Sequence, residues 1–134
     1  MHINLESDYA VRIVHCLAGA GKRLDAQSIA EETGVSPRFT LKIMRKLVAA
    51  DIVKSFKGAH GGYTLARPAS QVSMRGVIEA VEGPYRFSRC LDENFGCSRD
   101  EAHACPFRSI YGRITDLVVR ELDAVTFDQI DGQK

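Results

Sequence analysis

The stretch VSPRFTLKIMRKLVAADIV, residues 35–53, constrains the fold more than any other part of the chain. Ser36 is a natural N-cap and Pro37 suits the first helical position, where its missing N–H costs nothing. Ile43, Met44, Leu47 and Val48 then fall on one stripe of a helix, which must be buried. Arg38, Lys42 and Arg45 are four and three residues apart, so they gather on the opposite, open face. A helix apolar on one side and basic on the other needs a core behind it, and its basic face is either solvated or suited to an anionic partner.

The flanking segments supply that core. Leu5, Tyr9, Ile13, Leu17 and Ala20 recur at helical spacing and predict a helix over residues 5–20, ended by Gly19 and Gly21. Cys16 lies beside its apolar face and reads as a free core thiol. A second helix is expected over 26–32, closed by Gly34. After the basic helix, VKSFKGAHGGYTLAR reads as two short strands around a glycine turn, with Val53, Phe56, Tyr63 and Leu65 apolar. Helix, helix, turn, helix and ribbon is the order of a winged helix-turn-helix. A fourth helix is predicted from the cap Ser73 to Glu82, stopped by Gly83 and Pro84. Pro106 opens a last, long helix. Its stripe of Phe107, Tyr111, Ile114, Val118, Leu122 and Val125, widened by Ile110 and Leu117, exceeds what so small a domain needs. Part of it is expected to pack on a second copy of the chain.

The expected fold is thus mainly α with a small β-wing. Residues 1–83 form a winged helix-turn-helix, 84–106 a cysteine-rich loop, 107–126 a dimerisation helix and 127–134 a flexible tail.

Net charge over the 134 residues is only +1, but it is unevenly spread. Residues 36–57 carry six Lys or Arg against the single acid Asp51, the electrostatic footprint of a phosphate binder. In a winged helix the third helix enters the major groove with its N-terminal residues at base edges. Arg38 and Thr40 are the candidates for bases, and Lys42, Arg45 and Lys46 for phosphates. The turn would reach the next groove, with Lys57 or His60 as donor and Gly61 allowing close backbone approach. Ser28 and Ser36, in the second and third helices, complete the expected set for a double-stranded DNA operator.

The second chemical feature is CLDENFGCSRDEAHAC, residues 90–105. Cys90, Cys97 and Cys105 are separated by six and seven residues and keep polar company. Structural zinc sites usually use closer ligand pairs, although His103 would complete a three-cysteine, one-histidine set. An iron–sulfur cluster accepts wider spacing, and thiolates are its usual ligands. Three thiolates leave one corner of a four-iron cluster for a weaker, exchangeable ligand. A thiol switch forming disulfides is the remaining reading.

The N-terminus has Glu6 and Asp8 where a signal peptide would be basic and apolar, and no run approaches a membrane span. A cytosolic protein is expected, in which cysteines serve metal or redox chemistry. No phosphate loop, paired-carboxylate or nucleophile motif is present, so an enzyme is not expected.

ESDYAVRIV, GGYTLAR, VIEAVEG and the cysteine trio, in that order, resemble the Rrf2 family of bacterial winged-helix transcription regulators, with its IscR-like and NsrR-like branches. The resemblance spans residues 1–125 or so. It implies a homodimer built on the last helix, binding a pseudo-palindromic operator as a repressor, and an iron–sulfur cluster in the cysteine loop. That cluster would sense nitric oxide, redox state or iron–sulfur supply. IscR-like members place a histidine three residues after the last cysteine, where this chain has Arg108. NsrR-like members resemble SDYAVR, whose acid reaches across the dimer to complete a four-iron cluster; Asp8 holds that position. A four-iron cluster is favoured over a two-iron one, with His103 the other candidate for fourth ligand. The alternative is a cluster-free regulator controlled by zinc or by a thiol/disulfide switch.

Overall fold

Four helix starts are set by side chains that accept the otherwise orphaned backbone N–H groups of a first turn. Asn4 caps α1 (Leu5–Ala20), Asp25 caps α2 (Ala26–Thr33), Ser36 caps α3 (Pro37–Ala49) and Ser73 caps α4 (Met74–Glu82). The last helix, α5 (Pro106–Ala124), begins on proline after Cys105. The structure, a computed structural model, describes residues 2–99 and 105–132.

Between α3 and α4 lie β1 (Val53–Phe56) and β2 (Gly62–Leu65), an antiparallel pair in which Val53 faces Leu65 and Phe56 faces Gly62. Leu24, in the α1–α2 connection, adds to the edge of β2. Its N–H donates to the Tyr63 carbonyl at 3.1 Å, and the Tyr63 N–H donates back at 2.8 Å. Gly62 makes this approach feasible: at φ 142°, a Cβ there would sit 2.7 Å from the Leu24 carbonyl oxygen.

The core lies where α1 packs against α2, α3 and α4, and is filled by Ile13, Ile29, Ile43, Leu47, Ile52 and Val77. The winged-helix arrangement matches the expectation, and so do the helix boundaries within a residue or two. Leu5 is an exception: it opens the expected α1 stripe yet is exposed, while Ser7 and Ala10 are buried instead.

The expectation of a loose tail from residue 127 is corrected. Phe127 is buried in the core, its N–H donates to the Val72 carbonyl, and Ile130 packs on the same cluster. A short 3-10 turn, Ile130–Gly132, lies against α1, where His15 Nε2 and Asp131 Oδ1 are 2.9 Å apart. Hydrophobic burial of one large ring holds this segment. By contrast, α5 buries no residue fully, and Phe107, Ile110 and Leu117 stand exposed along it. No helix among the described residues is long and apolar enough to cross a membrane.

Candidate nucleic-acid interface and thiol cavity

The face of α3 turned from the core carries Arg38, Leu41, Lys42 and Arg45, all exposed. Together with Ser36 and Phe39 they line one surface concavity. Ser36 is also the structural cap, accepting the Phe39 N–H at 3.2 Å, so its hydroxyl already serves the helix. Lys42 lies over the Phe39 ring at 5.5 Å. In the wing, Lys57 and His60 are exposed, and Gly61 closes the turn by donating to the Gly58 carbonyl at 2.9 Å. A Cβ on Gly61 would come within 2.5 Å of the Phe56 carbonyl oxygen. Ser28 is half-buried in the first turn of α2, its N–H bonded to the Asp25 carboxylate. Those backbone and side-chain bonds at Ser28 hold the Asp25 carboxyl below the usual carboxylate range.

Thr40 is a correction. It is 0% exposed, faces the core beside Ile43, Met44 and Leu47, and its hydroxyl has no hydrogen-bond partner there. It cannot reach a base. Position 40 lies three, four and seven residues before that apolar stripe, so helical periodicity places it inward. Lys46 is corrected as well: its ammonium lies 2.8 Å from Glu6 Oε1 on α1 and donates to the Val81 carbonyl at 3.3 Å. That leaves it committed within the fold instead of to phosphate.

Arg23 was not anticipated from the sequence. Its guanidinium lies 3.5 Å from the centre of the Phe56 ring and donates to the His60 carbonyl at 3.2 Å. It sits in a short connection outside the basic stretch, with no periodic pattern to mark it.

The three loop cysteines are brought to one place. Cys90 lies in a 3-10 turn (Arg89–Leu91), Cys97 in the following loop and Cys105 at the α5 N-cap. All are half-buried free thiols lining a cavity of about 240 Å³, with Arg89, Arg108 and Tyr111 in the same wall. Phe87 stacks on Tyr111 with ring centres 5.4 Å apart and donates its N–H to Thr115 at 3.0 Å, fixing the loop entrance to α5. Among the described residues, no three His, Cys, Asp or Glu side chains converge on a single metal-ion position. A cavity lined by three cysteines and three arginines, Arg89, Arg99 and Arg108, suits a larger anionic body, such as an iron–sulfur cluster with thiolate ligands. Asp8 does not line it; its carboxylate pairs with Arg12 of the next turn at 2.8 Å. His103 lies outside the described residues.

Cys16 stands apart from the trio. It packs against the core, and its thiol donates to Glu32 Oε2 at 3.1 Å. Burial, reinforced by that bond and the carboxylate charge, pushes its pKa up to about 12. Such a thiol is inert at neutral pH.

With the helix-turn-helix, wing and thiol cavity in place, comparison with known families is decisive: residues 3–131 match the Rrf2 family, described as iron-dependent transcriptional regulators. The chain belongs to the Rrf2 family. It is similar to the rrf2 protein of Nitratidesulfovibrio vulgaris, 30% identical over 94% of this chain and 84% of that protein. It is also similar to the aau3 protein of Rhizobium meliloti, at 32% identity over 69% of this chain, and spans only 60% of that protein's length. Among solved structures it resembles CymR of Bacillus subtilis, named as a global cysteine regulator, with 26% identity and a TM-score of 0.77 over 97% of this chain and 95% of that one. The Rrf2 proteins are winged-helix transcription regulators.

Proposed function

We propose that the chain is a homodimeric repressor whose operator affinity is controlled by an iron–sulfur cluster held by Cys90, Cys97 and Cys105. The observation that carries this is the shared cavity: three cysteines separated by six and seven residues line one space, together with Arg89, Arg99 and Arg108. The three arginines there favour bound negative charge. The iron-dependence in the family description supports the same reading. When bound, the cluster would supply an iron corner held by a weaker, exchangeable ligand and so reactive toward nitric oxide or an oxidant.

The rest is done by the protein. The exposed Phe107, Ile110 and Leu117 of α5 pair with a second copy, which sets the distance between two α3 helices to match two half-sites. Asp8, in the first turn of α1, would be the fourth ligand, contributed across the dimer. Its carboxylate would then tie the first helix of one protomer to the cysteine loop of the other. Losing that tie frees the two reading heads to change spacing, and operator affinity falls. A difference of a few kcal/mol between the two arrangements suffices. Arg38 meets a base, while Lys42 and Arg45 meet phosphates and the Lys57–Gly61 turn approaches the adjacent groove.

The test is the visible spectrum of protein purified without oxygen, with iron, sulfide and zinc assayed on the same sample. A brown protein with matching iron and sulfide is expected, and its iron count per chain separates four-iron from two-iron types. Colourless protein holding stoichiometric zinc, or no metal after anaerobic reconstitution, would sink the cluster. The cysteines would then form a zinc site or thiol switch.

A further inference from the structure

The wing of this fold is short, and its turn, Lys57–Gly61, is exposed except at Gly61 and contains two glycines. A free turn of that kind must be ordered when it meets DNA, and the lost freedom weakens binding. Here the ordering is done beforehand, from outside the wing. The Arg23 guanidinium lies over the Phe56 ring, its carbon 3.5 Å from the ring centre, and its Nη1 donates to the carbonyl of His60 in the turn itself. One residue along, Leu24 exchanges both backbone hydrogen bonds with Tyr63 on the outgoing strand. Arg23 therefore touches the last residue of β1 and the turn, while its neighbour holds β2. We propose that Arg23 is a positioning residue for DNA binding: it clamps the wing turn in its binding arrangement and does not itself contact phosphate. This rests on the wing being part of the DNA interface.

The planar group is central. Stacking on Phe56 while donating sideways to a carbonyl needs a flat guanidinium, which a lysine ammonium cannot reproduce. Both Arg23→Ala and Arg23→Lys should therefore loosen the wing, although only the first removes a charge.

The experiment uses the full chain and the duplex that the wild-type chain enriches most from a random-sequence pool. Three readouts are taken: affinity, the slope of affinity against salt, and amide exchange at Gly61 and Tyr63. Both variants are expected to bind about three- to tenfold more weakly, with faster exchange at these amides and an unchanged salt slope. Wild-type affinity in Arg23→Lys would overturn the clamp, because charge alone would then suffice. A slope reduced by about one in Arg23→Ala would overturn it differently, by making Arg23 a phosphate contact. Loosened amides with unchanged affinity would leave the contact purely structural and refute the role. If Arg23→Ala fails to fold, Phe56→Leu removes the stack from the other side and must give the same pattern. A wild-type chain that enriches no duplex would overturn DNA binding itself, and this role with it.

Discussion

The Lys46 ammonium lies 2.8 Å from the Glu6 carboxylate and donates to the Val81 carbonyl, joining α3 to the start of α1 and the end of α4. Glu6 is two residues from Asp8, and Val81 lies in the last turn of the helix that runs into the cysteine loop. The Glu6 side chain is only 15% exposed, so solvent screens this pair less than a surface one. Lys46→Met keeps the aliphatic stem and removes the charge. It is expected to cost about 1–2 kcal/mol in urea unfolding, while the salt slope of DNA binding stays at its wild-type value. A slope reduced by about one would return Lys46 to the phosphate contacts.

Thr40 and Arg38 are two residues apart and face opposite ways. Thr40→Val replaces a buried hydroxyl that lacks a partner with a methyl of the same shape. Stability is expected to rise by about 1 kcal/mol with DNA affinity unchanged. Arg38→Ala should do the reverse, leaving the unfolding midpoint in place and weakening operator binding more than binding to random DNA. Equal losses on both would make Arg38 a phosphate contact.

Cys16 makes stability depend on alkaline pH. Folded, it keeps its proton up to about pH 12, whereas an unfolded thiol ionises near about pH 8.5. Between those values the folded state binds more protons, so stability falls as pH rises. Urea midpoints of reduced protein compared at neutral pH and near about pH 10 should drop further for the wild type than for Cys16→Ala. Parallel losses would show that Cys16 ionises freely when folded.

Phe127 tests whether the C-terminal segment belongs to the core. Phe127→Ala should cost about 3 kcal/mol by cavity formation, and removing residues 127–134 should cost at least as much. A truncated chain with an unchanged unfolding midpoint would make the segment dispensable.

The helices were legible because their signals are local. Asn4 was missed as a cap, but Ser36, Ser73, Pro37 and Pro106 each act on the turn they begin. Helical periodicity reaches only three or four residues along the chain. The same periodicity marks Thr40 as inward, since it falls on the stripe of Ile43, Met44 and Leu47; its polarity concealed that. Phe127 carried no such pattern, being one ring in a polar segment.

By itself the sequence determined the order of helices and wing, the basic excess around α3 and the presence of three spaced thiols. Each follows from residues near one another in the chain, through capping, periodicity or charge count. Only the tertiary structure decided that Lys46 turns to Glu6 and Val81, that Arg23 reaches the Phe56 ring and the His60 carbonyl, and that Phe127 is core. It also placed Cys90, Cys97 and Cys105 around one cavity. Long flexible side chains can reach several partners, and which of these is near depends on how the helices pack. That packing is set by the core as a whole, through contacts between residues distant in sequence.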